Sequence, residues 1–397
     1  MRMTICCLMM LWFSPLAAAE DVPVEFFVSV PKDTDGKATL YIAGNLEAVG
    51  NWKTDVLALK RLDDGRYYAK VRLPDGAKLE YKITRGSWET VEKGKDGSEI
   101  ANRQLTVAPG MKVEIDVQAW ATQPQPAVDK PALPHTLTGE IRYHEKFKSR
   151  YLENERTLIV YLPPGYKKDA DRRYAVLYMH DGQNLFDTAT SFIGVEWQAD
   201  ETAERLIKAG RIEPIIIVGI YNNADRVNEY TPYKDKSEKT GGKGDLYAKF
   251  LVEEVKPFID KEYRTRPDRE HTAVAGSSLG GLISLYICMK YPETFSMCGA
   301  ISPAIMWADG RILKDLRENT AKLKGVRFWV DMGTKEGKQV ESFSNAIGSA
   351  RDLIAIFDKA GLIPGRDYYY WEVAEGEHNE TAWAGRLDKI LLYFFGK

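Results

Sequence analysis

Two textures of hydrophobic patterning divide the chain. Between residues 24 and 120, apolar and polar residues alternate in short runs, which predicts strands over 24–30, 38–42, 67–73, 79–83 and 113–117. Turn chemistry separates them at Pro31-Lys32-Asp33, Asp63-Asp64-Gly65, Pro74-Asp75-Gly76 and Pro109-Gly110. Several short strands at this spacing predict an all-β, immunoglobulin-like sandwich over residues 20–120. Residues 121–136 hold Pro124, Pro126, Pro131 and Pro134 with little apolar content, and read as an exposed linker. From 137 to 397 the runs become continuous: 158–162, 175–179, 215–220, 272–275, 298–301, 327–330 and 369–373. Helical patterns alternate with them, such as the apolar face of Phe343, Ala346, Ile347, Ala350, Leu353, Ile354, Phe357 and Ala360. This alternation predicts an α/β domain with a mostly parallel sheet covered by helices on both faces.

The first nineteen residues follow neither texture. Arg2, an apolar run over 5–13 and Ala17-Ala18-Ala19 have the three parts of a secretory signal, so residues 1–19 are expected to be removed on export to the periplasm or beyond. Of the 4 cysteines, Cys6 and Cys7 leave with the leader. Cys288 and Cys298 remain, either bridged or as two buried thiols.

Composition narrows the function classes. With 44% hydrophobic and 28% charged residues the chain is globular, not disordered or collagen-like. Its 55 basic and 57 acidic residues, net −2, give no basic excess for nucleic acid. No internal run of 18 apolar residues predicts a membrane span.

The sharpest chemical signal is Gly276-Ser277-Ser278-Leu279-Gly280, a G-x-S-x-G pattern between an apolar strand run and a helical run. That context suits a nucleophile elbow, in which small neighbours let a sharp turn expose the Ser278 hydroxyl over the sheet. Ser277 competes but occupies an unconstrained position of the motif. A serine nucleophile needs a base, and folds of this kind order the residues serine, acid, histidine. Among the 5 histidines, His378 alone follows Ser278, in a loop after the last expected strand. The acid should follow the strand at 327–330, where Asp331 and Glu336 compete. Glu336 is favoured because it lies in a loop beyond the strand end, from which a side chain can reach a histidine and hold its tautomer. Oxyanion donors are expected from the amides of Leu279 and Gln183, the latter in His180-Asp181-Gly182-Gln183-Asn184. No HExxH, CxxC or clustered carboxylate pattern accompanies His180 and Asp181, and no GxGxxG opens a helix. Neither a metal nor a cofactor is expected.

With these residues placed, the second domain resembles the esterase D-like, carbohydrate esterase family 1-like α/β-hydrolases. The resemblance is carried by His180-Asp181-Gly182-Gln183-Asn184-Leu185-Phe186-Asp187, by Phe258-Ile259-Asp260-Lys261-Glu262-Tyr263-Arg264-Thr265, by the elbow, and by Gly376-Glu377-His378. It implies an esterase of feruloyl, acetylxylan or siderophore type, with Glu336 standing where many members carry aspartate. Ser302-Pro303-Ala304-Ile305-Met306-Trp307 and the segment holding Arg226 and Tyr230 resemble the siderophore branch. Trp307, Arg226 and Tyr230 are therefore candidate substrate contacts, with packing roles as the alternative. The first domain resembles starch- and glycogen-binding modules through Ile42-Ala43-Gly44-Asn45, Asn51-Trp52, residues 79–83 and Ala101-Asn102-Arg103. Trp52 and Trp88 are its candidate sugar-stacking residues.

The expectation is an exported serine esterase acting on an acyl or feruloyl ester of a polysaccharide. A siderophore esterase of enterobactin type is the alternative within chemistry. A carbohydrate-binding protein with an inactive hydrolase domain is the alternative outside it.

Overall fold

The computed structural model describes residues 21–36, 38–98, 100–121, 133–192, 194–235, 240–336 and 345–397. The chain divides into two compact units, Met1–Lys130 and Pro131–Lys397. The expected leader, and residues 122–132 of the linker expected over 121–136, lie outside the described residues.

In the first unit the strands are β1 (Asp21–Ser29), β2 (Leu40–Gly44), β3 (Leu57–Arg61), β4 (Tyr67–Pro74) and β5 (Lys78–Thr84). They are followed by β6 (Glu92–Lys93), β7 (Arg103–Thr106), β8 (Met111–Asp116) and β9 (Ala119–Trp120). Seven form a sheet in the order β7-β5-β2-β3-β4-β1-β8, and β6 pairs with β9. β3 changes partners along its length: Leu57 to Leu59 pair with β2, while Lys60 and Arg61 pair with β4. The sheet folds over at that point, because Phe26 on β1 meets Tyr81 on β5 edge-on at 5.6 Å although three strands separate them in the order. Val24, Phe26 and Val28 on β1 are fully buried at a spacing of two, as an inward strand face requires.

The second unit holds β10 (Glu140–Phe147), β11 (Arg156–Leu162), β12 (Ala175–His180) and β13 (Ile215–Ile220). It continues with β14 (Thr272–Ser277), β15 (Met297–Ile301), β16 (Arg327–Gly333) and β17 (Tyr368–Val373). The order is β10-β11-β13-β12-β14-β15-β16-β17, with β10 and β11 antiparallel and the rest parallel. Every residue of β12, β13, β14 and β15 is buried, which is why these strands read as continuous apolar runs. Their side chains alternate between two clusters: Val176 and Tyr178 face one, Ala175, Leu177 and Met179 the other.

The helices among the described residues are α1 (Ala199–Lys208), α2 (Arg226–Glu229), α3 (Gly244–Phe250), α4 (Lys256–Glu262) and α5 (Leu279–Lys290). After them come α6 (Trp307–Glu318), α7 (Thr320–Leu323), α8 (Ala346–Lys359), α9 (Glu380–Ala384) and α10 (Leu387–Phe395). α1 and α10 cover one face of the sheet, and α3 to α8 the other. None is long and apolar enough to cross a membrane. Cys288 on α5 and Cys298 on β15 are buried free thiols, and burial pushes Cys288 well above the usual thiol range.

Strands β3, β6, β7, β9 and β10 escape the hydrophobic pattern. β10 has no fully buried residue and runs Glu-Ile-Arg-Tyr-His-Glu-Lys-Phe, so only its pairing with β11 makes it a strand. The parallel strands end at one edge of the sheet, at His180, Ser277, Gly333 and Val373. The loops that follow gather there.

Candidate active site

Ser278 joins β14 to α5 in a backbone conformation, φ 57° and ψ −121°, that non-glycine residues rarely adopt. Its amide donates to the Ile301 carbonyl at 3.0 Å, and its own carbonyl accepts from Leu282 and Ala304 at 3.0 Å each, so the turn is pinned on both sides. A Cβ at Gly276 would lie 2.9 Å from the His180 ring and 3.0 Å from the Gly280 backbone. The elbow needs glycine at 276 for this close approach, not for a positive φ. Ser277, the competing serine, ends β14 and is buried.

His378 follows β17, and its Nδ1 lies 3.0 Å from Glu336 Oε2. The two loops meet because the backbone binds them together. Thr334 donates to the Val373 carbonyl at 3.0 Å and Lys335 to the Gly376 carbonyl at 2.9 Å. Glu336 is fully buried, and its Oε1 accepts from the Gly333 amide at 2.7 Å and the Ser302 hydroxyl at 2.5 Å. Ser302 Oγ in turn accepts from Arg386 Nη2 at 2.5 Å and Trp383 Nε1 at 3.0 Å, which uses all the hydrogen-bonding capacity of a hydroxyl. The Trp383 ring meets His378 edge-on at 4.9 Å.

Asp331 has a different task. It accepts from Trp329 Nε1 at 2.6 Å and the Ser302 amide at 3.1 Å, and pairs with Arg386 at 2.8 Å. Of the two competing carboxylates, Glu336 bonds the histidine and Asp331 braces its surroundings.

Ser278 and His378 line one cleft of about 340 Å³ together with His180, Asp181, Gln183, Asn222, Arg226, Phe192, Trp197, Glu380 and Trp383. Gln183 and Leu279 sit in the first turns of short and long helices that begin after Asp181 and Ser278. Amides there have no acceptor within their own helix and are available to an oxyanion. Asp181 reaches its helix-starting position with φ 57°. Its carboxylate accepts Arg226 through Nε at 2.7 Å and Nη2 at 2.8 Å, and Asn222 at 2.5 Å. Burial alone would raise the Asp181 carboxyl, but the Arg226 charge and hydrogen bonds outweigh it and hold it below the usual range. Burial pushes His180 down to about 3, so its ring is neutral; Nδ1 meets the Tyr247 hydroxyl at 2.9 Å.

The structure brings some sequence candidates to the cleft and leaves others away from it. Arg226 is on the wall. Tyr230 is fully buried beneath it, where its hydroxyl accepts the Asp181 amide at 3.1 Å. Trp307 is not among the lining residues; its Nε1 donates to the Tyr233 carbonyl at 2.7 Å and its ring packs on the core. In the first unit, Trp52 and Trp88 stand 6.2 Å apart at 41°, and Trp88 is 45% exposed. The hydrophobic pattern and the motifs mark neither Arg386, Trp383 and Glu380 nor the bracing role of Ser302. Burial raises the Glu380 carboxyl, and it faces Asp181, His378 and Arg226. Only the helical entry Asn379, which caps α9 by accepting from Ala382, marks that segment in the sequence.

The family model described as "Putative esterase" matches residues 149–394, and that for a starch binding domain matches 21–116. The endo-1,4-beta-xylanase/feruloyl esterase of Xylanibacter ruminicola is 32% identical over 209 residues, 50% of this chain and 26% of that protein. An alpha-amylase of Niallia circulans is 42% identical over 101 residues, 25% of this chain and 8% of that protein. The solved enterobactin esterase of Shigella flexneri has the same fold, at TM-score 0.51 and 16% identity over 96% of this chain and 95% of that one. The chain belongs to this esterase family: it is a carboxylic ester hydrolase built on an α/β sheet, with a starch-binding-type β domain ahead of it.

Proposed function

We propose that the protein is an exported serine esterase that removes feruloyl or acetyl groups from a polysaccharide through an acyl-enzyme. His378 takes the Ser278 proton as Oγ attacks the ester carbonyl, and the Leu279 and Gln183 amides hold the oxyanion. His378 then protonates the leaving alcohol, and water activated by the same ring releases the acid. Glu336 holds Nδ1–H and stabilises the imidazolium. The observation that carries this reading is that Ser278 and His378 line one cleft while the far ring nitrogen of His378 is bonded to a buried carboxylate.

Three aromatic side chains on the cleft, Phe192, Trp197 and Trp383, support an aromatic acyl group over acetyl. The starch-binding match and the paired indoles of Trp52 and Trp88 support a glycan-linked substrate. The leader-like residues 1–19 support export. A siderophore ester is the second reading, favoured by Arg226 on the cleft wall and by the likeness to the enterobactin esterase.

The test compares ferulate and acetate release from plant polysaccharide with cleavage of an enterobactin-type trilactone. Preference for the trilactone replaces the polysaccharide reading. A folded protein whose Ser278 resists an active-site phosphonate would sink the serine mechanism and leave a binding protein.

A further inference from the structure

We infer that Glu196, Asp200 and Glu201 form a binding site for a hard divalent cation of the calcium type, beside the cleft at the start of α1. One carboxylate oxygen from each residue lies within 4.8 Å of those of the other two. Two oxygens bound to one calcium ion stand at most about 5 Å apart, since each lies at 2.3–2.6 Å. The spacing suits one ion.

The hydrogen bonds point the same way. Glu196 Oε1 accepts from Thr188 Oγ1 at 3.0 Å and from the Thr136 hydroxyl. Asp200 Oδ2 accepts from the Thr138 amide at 2.6 Å, and Glu201 Oε1 from the Thr138 hydroxyl at 3.2 Å. Each carboxylate is thereby oriented by one oxygen. The other oxygen of each, Glu196 Oε2, Asp200 Oδ1 and Glu201 Oε2, is buried and receives no hydrogen bond from a donor among the described residues. Glu196 is 6% exposed and Asp200 is fully buried, so water does not satisfy them by default. Among the described residues none of the three has an ion pair with a basic side chain. The start of α1 contributes about half a positive charge, too little for three carboxylates. Oxygen-only donors select calcium or magnesium over softer metals.

Without a cation the cluster must hold a proton. Burial and the Glu201 hydrogen bond push the Asp200 carboxyl up to about 8. A shared proton is thus the rival occupant.

The site reaches the cleft through Trp197, which follows Glu196. The Trp197 amide donates to the Asn184 carbonyl at 2.8 Å and the Ala199 amide to Leu185 at 2.9 Å, tying this segment to the Gln183 turn. The Trp197 ring lies 5.9 Å from Trp383, which contacts His378. A bound ion would therefore stiffen the cleft wall without touching substrate.

The experiment uses the full chain after chelator treatment. Terbium luminescence excited through tryptophan, and calorimetric titration with calcium chloride, should report one ion per chain, with Trp197 as the near donor. Calcium at a hundredfold excess over its Kd should raise Tm by about 3–5 °C. Asp200→Asn and Glu201→Gln should each abolish the terbium signal and the Tm response. Absence of binding at millimolar calcium overturns the proposal, as does unchanged binding in either variant. An Asp200→Asn protein that is more stable than a calcium-insensitive parent identifies the shared proton instead. Should Asp200→Asn fail to fold, the partly exposed Glu201→Gln decides alone.

Discussion

Asp331 and Glu336, the two carboxylates after Val330, share one guanidinium: Arg386 Nη2 is 2.8 Å from Asp331 Oδ1 and 3.8 Å from Glu336 Oε1. All three side chains are almost fully buried. Glu336 turns its other oxygen to His378, while both Asp331 oxygens face the brace of Trp329, Ser302 and Arg386. The pair divides an orienting role from a supporting one.

Glu336→Gln removes the charge opposite the imidazolium and leaves the ring free to take the wrong tautomer. We expect kcat to fall by about 10²–10⁴-fold with little change in KM. Asp331→Asn should keep kcat within about tenfold. Steady-state kinetics on a soluble ester checks both, and the reverse pattern would assign the orienting role to Asp331.

Arg386→Met leaves the Asp331 carboxylate buried without its cation. Losing one partner of a buried pair costs about 3–5 kcal/mol, far more than any exposed bridge of this protein. Urea unfolding should show this loss; a change below about 1 kcal/mol would mean that Ser302 and Trp329 suffice.

His180 carries the pH prediction. Its folded value is depressed to about 3, while the unfolded ring titrates near 6.5. The unfolded chain therefore binds a proton that the native state refuses, and stability present above pH 6.5 declines as pH falls toward 3. The slope approaches about 1.4 kcal/mol per pH unit from this group. Relative to His180→Asn, the wild type should lose that slope's worth of advantage between pH 6.5 and 4.5. A difference independent of pH would contradict the buried neutral ring.

Trp88→Ala removes the exposed member of the indole pair. Binding to starch or another insoluble glycan should weaken about five- to tenfold, since stacking on one aromatic is worth roughly 1–1.5 kcal/mol. Hydrolysis of a small soluble ester should not change. Full retention in a pull-down assay would show that the pair does not bind glycan.

The sequence by itself determined what is local. The elbow is a strand, a turn and a helix within a dozen residues, so Gly276, Ser278 and Gly280 announce it without tertiary knowledge. The central strands are legible because burial on both faces demands unbroken apolar runs, as Ile215 to Ile220 show. His378 is identified by order, being the one histidine after Ser278. Tertiary structure decided whatever depends on which segments meet. β10 is half-polar and exists through pairing, so its pattern hides it. Glu336 and Asp331 lie five residues apart; loop position favours Glu336, and the backbone bonds joining the loops after β16 and β17 bring it to His378. Trp307 sits in a motif yet packs on the core, while Trp383, outside every motif, stands against His378. The carboxylates of Glu196, Asp200 and Glu201 look like an ordinary acidic helix start until Thr136, Thr138 and Thr188 close around them. Periodicity encodes which face of an element is buried; it carries no information about which distant side chain that face will meet.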